Sequence, residues 1–272
     1  MIIQLMIEGD SYAADVSTPA ADLSIPITPY NDAQLEAFFL PRAHVMPFMR
    51  GHFIGDTRRG ARVNCDIVTF CPHGNGTHTE GVGHITRARL PVTALLDSAF
   101  IPATVLSTEP QPLAADECGR PWTDAADLVV SQRSLEDAYA RLRHLPSCFL
   151  QALVIRTLPN PLSKRGATYS GRNPPYFTLD AVAWMLAHNV RHLLVDLPSI
   201  DREEDGGILS AHRQFWSIGP LAEETSEPSR RTITELCYVP DSVPDGIYLL
   251  NLQVAPIELD AAPCRPLLFR IL

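Results

Sequence analysis

His73-Gly74-Asn75-Gly76-Thr77-His78-Thr79-Glu80-Gly81-Val82-Gly83-His84 packs three imidazoles and a carboxylate into twelve residues, directly after an apolar, strand-like run from Val63 to Phe70. Neutral imidazole and carboxylate are the usual ligands of zinc, manganese or iron, and a glycine-rich turn lets neighbouring residues converge on one ion. In an extended segment His78 and Glu80 point to the same side, because side chains alternate with period two. His84 falls on an even offset as well. His73 does not, but Gly74 and Gly76 favour a turn over a straight strand there. A single histidine in such a stretch is more simply read as a loop cap or a hydrogen-bonding partner in a half-buried turn. The cluster as a whole reads as a metal site, since buried polar groups need partners and one cation satisfies several.

Outward from this stretch the chain alternates between strand and helix patterns. Val63 to Phe70, Ala103 to Leu106, Phe149 to Arg156, His192 to Asp196 and Ile247 to Val254 are short aliphatic or β-branched runs bordered by turn residues. Ser134-Leu-Glu-Asp137 is close to a capping box and opens an amphipathic run to about Leu142. Thr178 precedes Leu179, Val182, Ala183 and Leu186, which share one helical face, and Asn189 suits a left-handed stop. Leu197-Pro-Ser-Ile-Asp201 then follows a strand's carboxyl end, where α/β sheets place ligand sites. The Pro- and acid-rich stretch from Glu109 to Asp127 and the acidic stretch from Asp201 to Gly207 read as surface loops.

The central stretch resembles the signature of the metal-dependent cyclase family, which includes bacterial kynurenine formamidases and isatin hydrolases: His-x-Gly-Thr-His-x-Asp-x-Pro-x-His. Gly76, Thr77, His78 and His84 fall in register. The first histidine stands one residue further out, because Gly74-Asn75 replaces a single residue; Glu80 replaces the family's Asp, and Val82 its Pro. The resemblance continues through Ala21-Asp-Leu-Ser-Ile-Pro-Ile27, Val195-Asp-Leu-Pro-Ser-Ile-Asp201 with His212 after it, Ile233-Thr-Glu235, Val243-Pro-Asp-Gly-Ile-Tyr-Leu-Leu250 and Asp260-Ala-Ala-Pro-Cys-Arg-Pro266, covering about residues 20–272 in the family's order.

The resemblance implies one compact α/β domain over residues 1–272, with a mixed sheet or flattened barrel and flanking helices, of the swivelling β/β/α kind. It also implies His73, His78 and Glu80 as metal ligands, His84 as the general acid/base, and His212 and Glu235 as residues completing a two-metal site, with Glu235 also catalytic. Read without it, His212 is a helix-surface residue and Glu235 a solvated strand end. The implied assembly is a homodimer or homotetramer.

Composition bounds the function classes. At 272 residues, 46% hydrophobic and 19% charged, the chain suits one large core. Its net charge is −9 and it has no basic stripe, so nucleic acid is not an expected partner. Six scattered cysteines, Cys65, Cys71, Cys118, Cys148, Cys237 and Cys264, include no CxxC pair. They read as reduced, mostly core thiols of a cytoplasmic protein, with Cys71 placed in the core rather than on the metal. No apolar run of about 18 residues is found, so no membrane span is expected.

The ligand set implies chemistry. A divalent ion, zinc first and manganese next, acidifies water towards neutrality and polarises an amide carbonyl. A histidine beside it passes the proton to the leaving amine. No Gly-x-Ser-x-Gly elbow is present, which argues against a serine hydrolase. The reading is hydrolysis of a small amide such as a formamide or lactam. The alternatives are hydrolysis of a cyclic ester or imide, or a catalytically inactive protein that binds a metal or small molecule. Phe48, Phe53, Tyr176, Phe177 and Trp216 are candidates for an aryl pocket and equally for ordinary core packing.

Overall fold

The computed structural model describes residues 1–113, 123–124, 126–143, 145–220, 222–225 and 227–272. Much of the expected loop from Glu109 to Asp127, and Cys118 within it, lies outside the described residues.

Nine strands build one curled, half-barrel sheet: β1 (Ala21–Asp22), β2 (His78–Glu80), β3 (Ile101–Thr108), β4 (Ala152–Thr157), β5 (His192–Val195), β6 (Thr232–Glu235), β7 (Gly246–Asn251), β8 (Ala261–Pro263) and β9 (Leu267–Arg270). Their order across the sheet is β8-β2-β6-β5-β4-β3-β7-β9-β1. Strands β3, β4, β5 and β6 are parallel to one another, and antiparallel strands flank them on both sides. This is the mixed α/β sheet expected from the sequence.

Although β6, Thr-Ile-Thr-Glu, carries polar side chains, parallel strands β3 to β5 read as largely apolar runs because both faces are covered. Alternate residues of β4 show this. Leu153 and Ile155 pack with Leu135, Ala138, Val182 and Met185, from helices α2 (Gln132–Ala140) and α3 (Leu179–Ala187), while Ala152 and Val154 join Leu23, Tyr248 and Leu250 on the opposite face. The expected helix around Ser134 is present, but its cap is Ser131. The Ser131 hydroxyl accepts from the backbone N–H of Ser134 and the Ser134 hydroxyl from that of Ser131, so Ser134 is the third residue of the box. Helix α3 begins after Thr178 as expected, and Asn189 takes φ +58 beyond its end.

The run before the first histidine departs from expectation. Only Asp66–Thr69 is strand, and it pairs with His44–Pro47 in a two-stranded ribbon outside the main sheet. Met46, Phe48, Met49, Phe53, Val63, Ile67 and Val68 are exposed on this arm. Phe48 and Phe53 therefore do not line an interior pocket. The cysteine expectation also needs correction. Of the described cysteines only Cys237 is buried, Cys65 is exposed, and Cys71 is half-buried at the start of the helical turn that carries His73. Among the described residues no helix is long and apolar enough to cross a membrane.

Candidate metal centre

Strand β2 lies between β6 and β8, and that placement builds the centre. In its register His78 faces Glu235 and Pro263, and Glu80 faces Ile233 and Ala261. Period-two alternation sends Thr79 to the other face, where its hydroxyl meets that of Thr234 at 2.8 Å. His78 and Glu80 share the first face with Glu235, and Glu235 Oε2 lies 3.6 Å from His78 Nε2.

Thr77 stitches this strand into the molecule. Its hydroxyl accepts from Ile25 N at 2.7 Å and donates to the Leu236 carbonyl, and its own carbonyl accepts from Cys264 N. Leu236 turns the chain away immediately after Glu235 with φ +55, and Ile200 N donates to Glu235 Oε1 at 3.2 Å.

His73 sits on the single turn α1 (Pro72–Asn75), so the turn expected from Gly74 and Gly76 is present. The inserted Asn75 clamps it: Oδ1 accepts from Cys71 N at 2.8 Å and Nδ2 donates to Pro41 O at 3.1 Å. Gly76 is required for room rather than for left-handed freedom. Its φ of 168 is extended backbone, and a Cβ there would stand 2.9 Å from both Ile25 O and Ile27 Cγ1. His84 does not continue the strand. In extended chain it would lie roughly 13 Å beyond Glu80, but the 3-10 turn Val82–His84 brings its Nε2 to 3.9 Å from Glu80 Oε2.

The remaining contacts close the cluster. His212, on helix α4 (Ser210–Phe215), places Nε2 at 2.9 Å from Glu80 Oε1 and 3.4 Å from Glu235 Oε1. His73 Nδ1 lies 3.0 Å from Glu80 Oε2. All six side chains singled out in the sequence, His73, His78, Glu80, His84, His212 and Glu235, therefore meet at one place. Donor atoms of His73, His78 and Glu80, and those of Glu80, His212 and Glu235, lie within 4.8 Å of one another in each trio.

Two aspartates at the site were given no role in the sequence reading, although Asp201 ends the stretch placed at a ligand-bearing strand end. Asp201 accepts from Ala211 N, His212 N and His212 Nδ1, the last at 2.7 Å. Asp260 stands between His73 and His84. Both lie inside stretches quoted for the family resemblance; Asp201 meets a helix that starts nine residues on, whereas Asp260 meets histidines from the other end of the chain.

The protonation pattern shows what the cluster asks for. His78 Nδ1 donates to Gly76 O at 3.1 Å, which turns Nε2 into the cluster, where it is buried with no hydrogen-bond partner. Its neighbour Glu235 is itself an acceptor. Burial alone would depress His73, but Asp260 and Glu80 raise it to about 10. Burial likewise opposes charge on His212, yet Asp201, Glu235 and Glu80 hold it well above the ordinary range. Glu80 is pushed up by burial and, more strongly, down by the charge of His84 and the bonds from His212 and His73. The donor set fits a divalent cation, because one ion would meet the orphaned His78 nitrogen and the converging carboxylates together.

A cleft of about 520 Å³ opens onto the cluster, with Phe38, Leu40, Cys71, Leu209 and Arg202 among its walls beside His73, Glu80, His84, His212 and Glu235. Tyr176, Phe177 and Trp216 are buried outside that lining, although the Trp216 ring stands 5.2 Å from that of His212. A larger groove of about 670 Å³ at the carboxyl end of β3 holds none of these groups. Its Arg156 is used up on Ser107, Pro240, Val243 and Asp245, so that groove reads as structural.

A family model described as "Putative cyclase" matches residues 21–202. The chain belongs to the cyclase family. His212, Glu235 and Asp260 lie beyond the matched residues, and the fold of this cyclase-family chain places them. Similar solved structures include a "predicted metal-dependent hydrolase" from Bacillus stearothermophilus, at 16% identity, TM-score 0.55, covering 92% of this chain and 97% of that one. Isatin hydrolase A from Ralstonia solanacearum is similar at 15% identity and TM-score 0.58, covering 92% and 90%. A protein described as a novel cyclase is similar at 14% identity and TM-score 0.59, covering 94% and 88%. At these identities the likeness establishes the fold. No curated protein matches the chain.

Proposed function

We propose that this cyclase-family protein is a metal-dependent hydrolase of a small amide, a formamide or a lactam, acting on a non-peptide C–N bond. The observation that carries the reading is the buried, unpartnered His78 Nε2 facing Glu235 beside the Glu80–His212 pair. His78, Glu80, His212 and Glu235, with His73 at the edge, would hold the ion, zinc first and manganese next. When bound, the ion supplies an acidified water and a Lewis acid for the carbonyl.

The chain's own residues supply the rest. Asp201 fixes the tautomer of His212, and Gly76 O fixes that of His78. His84, half-exposed at the cleft, takes a proton at Nε2 and returns it to the departing amine. Phe38, Leu40 and Leu209 offer an apolar wall for the body of the substrate. The structural neighbour named for isatin, a cyclic aryl amide, supports the lactam class.

The test is a panel of isatin, formanilide, dihydrocoumarin and phthalimide with zinc- and manganese-loaded protein. Turnover of isatin or formanilide above the lactone and imide supports the reading. Preference for dihydrocoumarin or phthalimide would move it to cyclic esters or imides, and no turnover by metal-loaded protein would make this a binding protein.

We read residues 1–272 as one domain, since the sheet draws strands from Ala21 to Arg270. We also propose a homodimer or homotetramer. The arm around residues 44–69 exposes apolar side chains, and within residues 41–70 it carries five arginines against two aspartates on a chain of net charge −9. A basic, apolar arm suits an acidic second copy. Light scattering giving 30 kDa at micromolar concentration would contradict it. The five described cysteines are free, in keeping with a reducing, cytoplasmic setting.

A further inference from the structure

Asp260 has no role in the reading so far, yet one of its oxygens touches two of the imidazoles. Oδ2 lies 3.2 Å from His73 Nε2 and 3.3 Å from His84 Nδ1, and the two rings stack with centroids 4.3 Å apart. Backbone pairing fixes where this carboxylate can be. Ala261 pairs with Glu80 across β8 and β2, and Gly81 N donates to Asp260 O at 3.1 Å, so Asp260 stands opposite Gly81 at the edge of the cluster.

An ionised carboxylate only accepts hydrogen bonds, so the proton on the His84 ring sits on Nδ1. In the neutral ring this leaves Nε2 bare; that atom lies 3.9 Å from Glu80 Oε2, and His84 is one of the residues lining the cleft. Asp201 does the same for His212, whose Nδ1 lies 2.7 Å from Asp201 Oδ2. We propose that Asp260 is the positioning residue of His84, setting ring orientation and tautomer so that Nε2 is the nitrogen that exchanges the proton. The inference rests on His84 being the proton-transfer group of the hydrolase reading. In that reaction a water oxygen bonds to the carbonyl carbon and the C–N bond breaks. The water's proton reaches the amine nitrogen through His84 Nε2, and Asp260 exchanges none.

Asp260→Asn keeps the size of the side chain but lets an amide N–H face Nδ1, so the proton can settle on Nε2 instead. The experiment compares ¹⁵N-histidine spectra of wild type, Asp260→Asn and Asp260→Glu, metal-free and zinc-loaded, at pH values where the ring is neutral, with His84→Gln to assign the signal. The expected result is Nδ1–H in wild type, a shift towards Nε2–H in the Asn variant and restoration in the Glu variant. Zinc content should be unchanged in all of them. With isatin, kcat of Asp260→Asn should fall about 10²- to 10⁴-fold at constant KM, and the change should add nothing in a His84→Ala background. Nε2–H in wild type, an unchanged His84 signal in Asp260→Asn, or loss of zinc from that variant would overturn the proposal, the last by making Asp260 a ligand. If wild type hydrolyses no amide, the hydrolase reading fails while the spectra still decide whether Asp260 sets the ring.

Discussion

Loading the centre with metal should release protons, and the number follows from the geometry. In the metal-free cluster His73 is wedged between Glu80 and Asp260, which raise it to about 10, and His212 is held well above the ordinary histidine range by Asp201, Glu235 and Glu80. Both rings are therefore charged at pH 7, while Glu80 and Asp260 are held below the carboxylate range and are already ionised. An imidazolium has no lone pair to give, so an ion that binds both rings displaces about two protons. The sign is fixed: a raised pKa means the proton competes with the metal. Apparent affinity then falls about tenfold for each displaced proton per unit of pH lost, or about 100-fold per unit for two, until pH rises past about 10 for His73. A proton lost by water on the ion adds to this count, so two is a floor. Calorimetric titration of zinc into metal-free protein, in two buffers of different ionisation enthalpy, gives the count directly. His73→Gln should lower it by about one if His73 is a ligand. Fewer than about 0.5 protons at pH 7 would refute the charged-ring account of the metal-free centre.

Thr77→Val preserves shape while leaving Ile25 N–H and the Leu236 carbonyl buried without their partner. The expected loss is about 2–4 kcal/mol in urea unfolding, and less than about 1 would mean the stitch is not structural. His192 is buried and bonded to Thr232 Oγ1 at 2.8 Å, and burial, with Arg191's charge beside it, pushes it down to about 4. The unfolded chain binds this proton near pH 6.5 and the folded one does not until about 4, so stability falls across that window as pH drops. Between pH 7 and 5 this group should cost about 2 kcal/mol, a pH dependence that His192→Gln should lack in parallel urea titrations. His78→Ala should lose metal and activity together, whereas His84→Ala should keep its metal and lose about 10²- to 10⁴-fold in kcat. Equal metal loss in the two would make His84 a ligand.

What the residues alone revealed was what lay close together in the chain; the distant His212 and Glu235 came only through the family resemblance. His78 and Glu80 share a face because alternation is a two-residue rule, and β2 obeys it. Three of the four parallel core strands announced themselves as apolar runs, and Asn189 as a stop; β6, Thr-Ile-Thr-Glu, did not. His84 reached the site by a different route from the one its even offset suggested, a 3-10 turn instead of a strand. The glycines were read for flexibility, yet Gly76 is there because Ile25 and Ile27 leave no space for a Cβ. The stretch ending at Asp201 was placed at a ligand-bearing strand end, but its bond to His212 depends on how a helix docks, and Asp260 was not legible because strand pairing across most of the chain sets its partners. The Val63 to Phe70 run looked like a core strand because apolar content alone does not distinguish an interior strand from an uncovered arm.

The insertion of β2 between β6 and β8 also sets when this centre can exist. Thr79 and Thr234 meet across a gap of 155 residues, and Glu80 and Glu235 are held by the same pairing. A chain growing from its N-terminus carries His73, His78 and Glu80 long before the other half of the cage has been made, and closing so long a loop is among the slow events of folding. Tight capture of an ion is therefore a late acquisition, and it signals that the last strands have found their places.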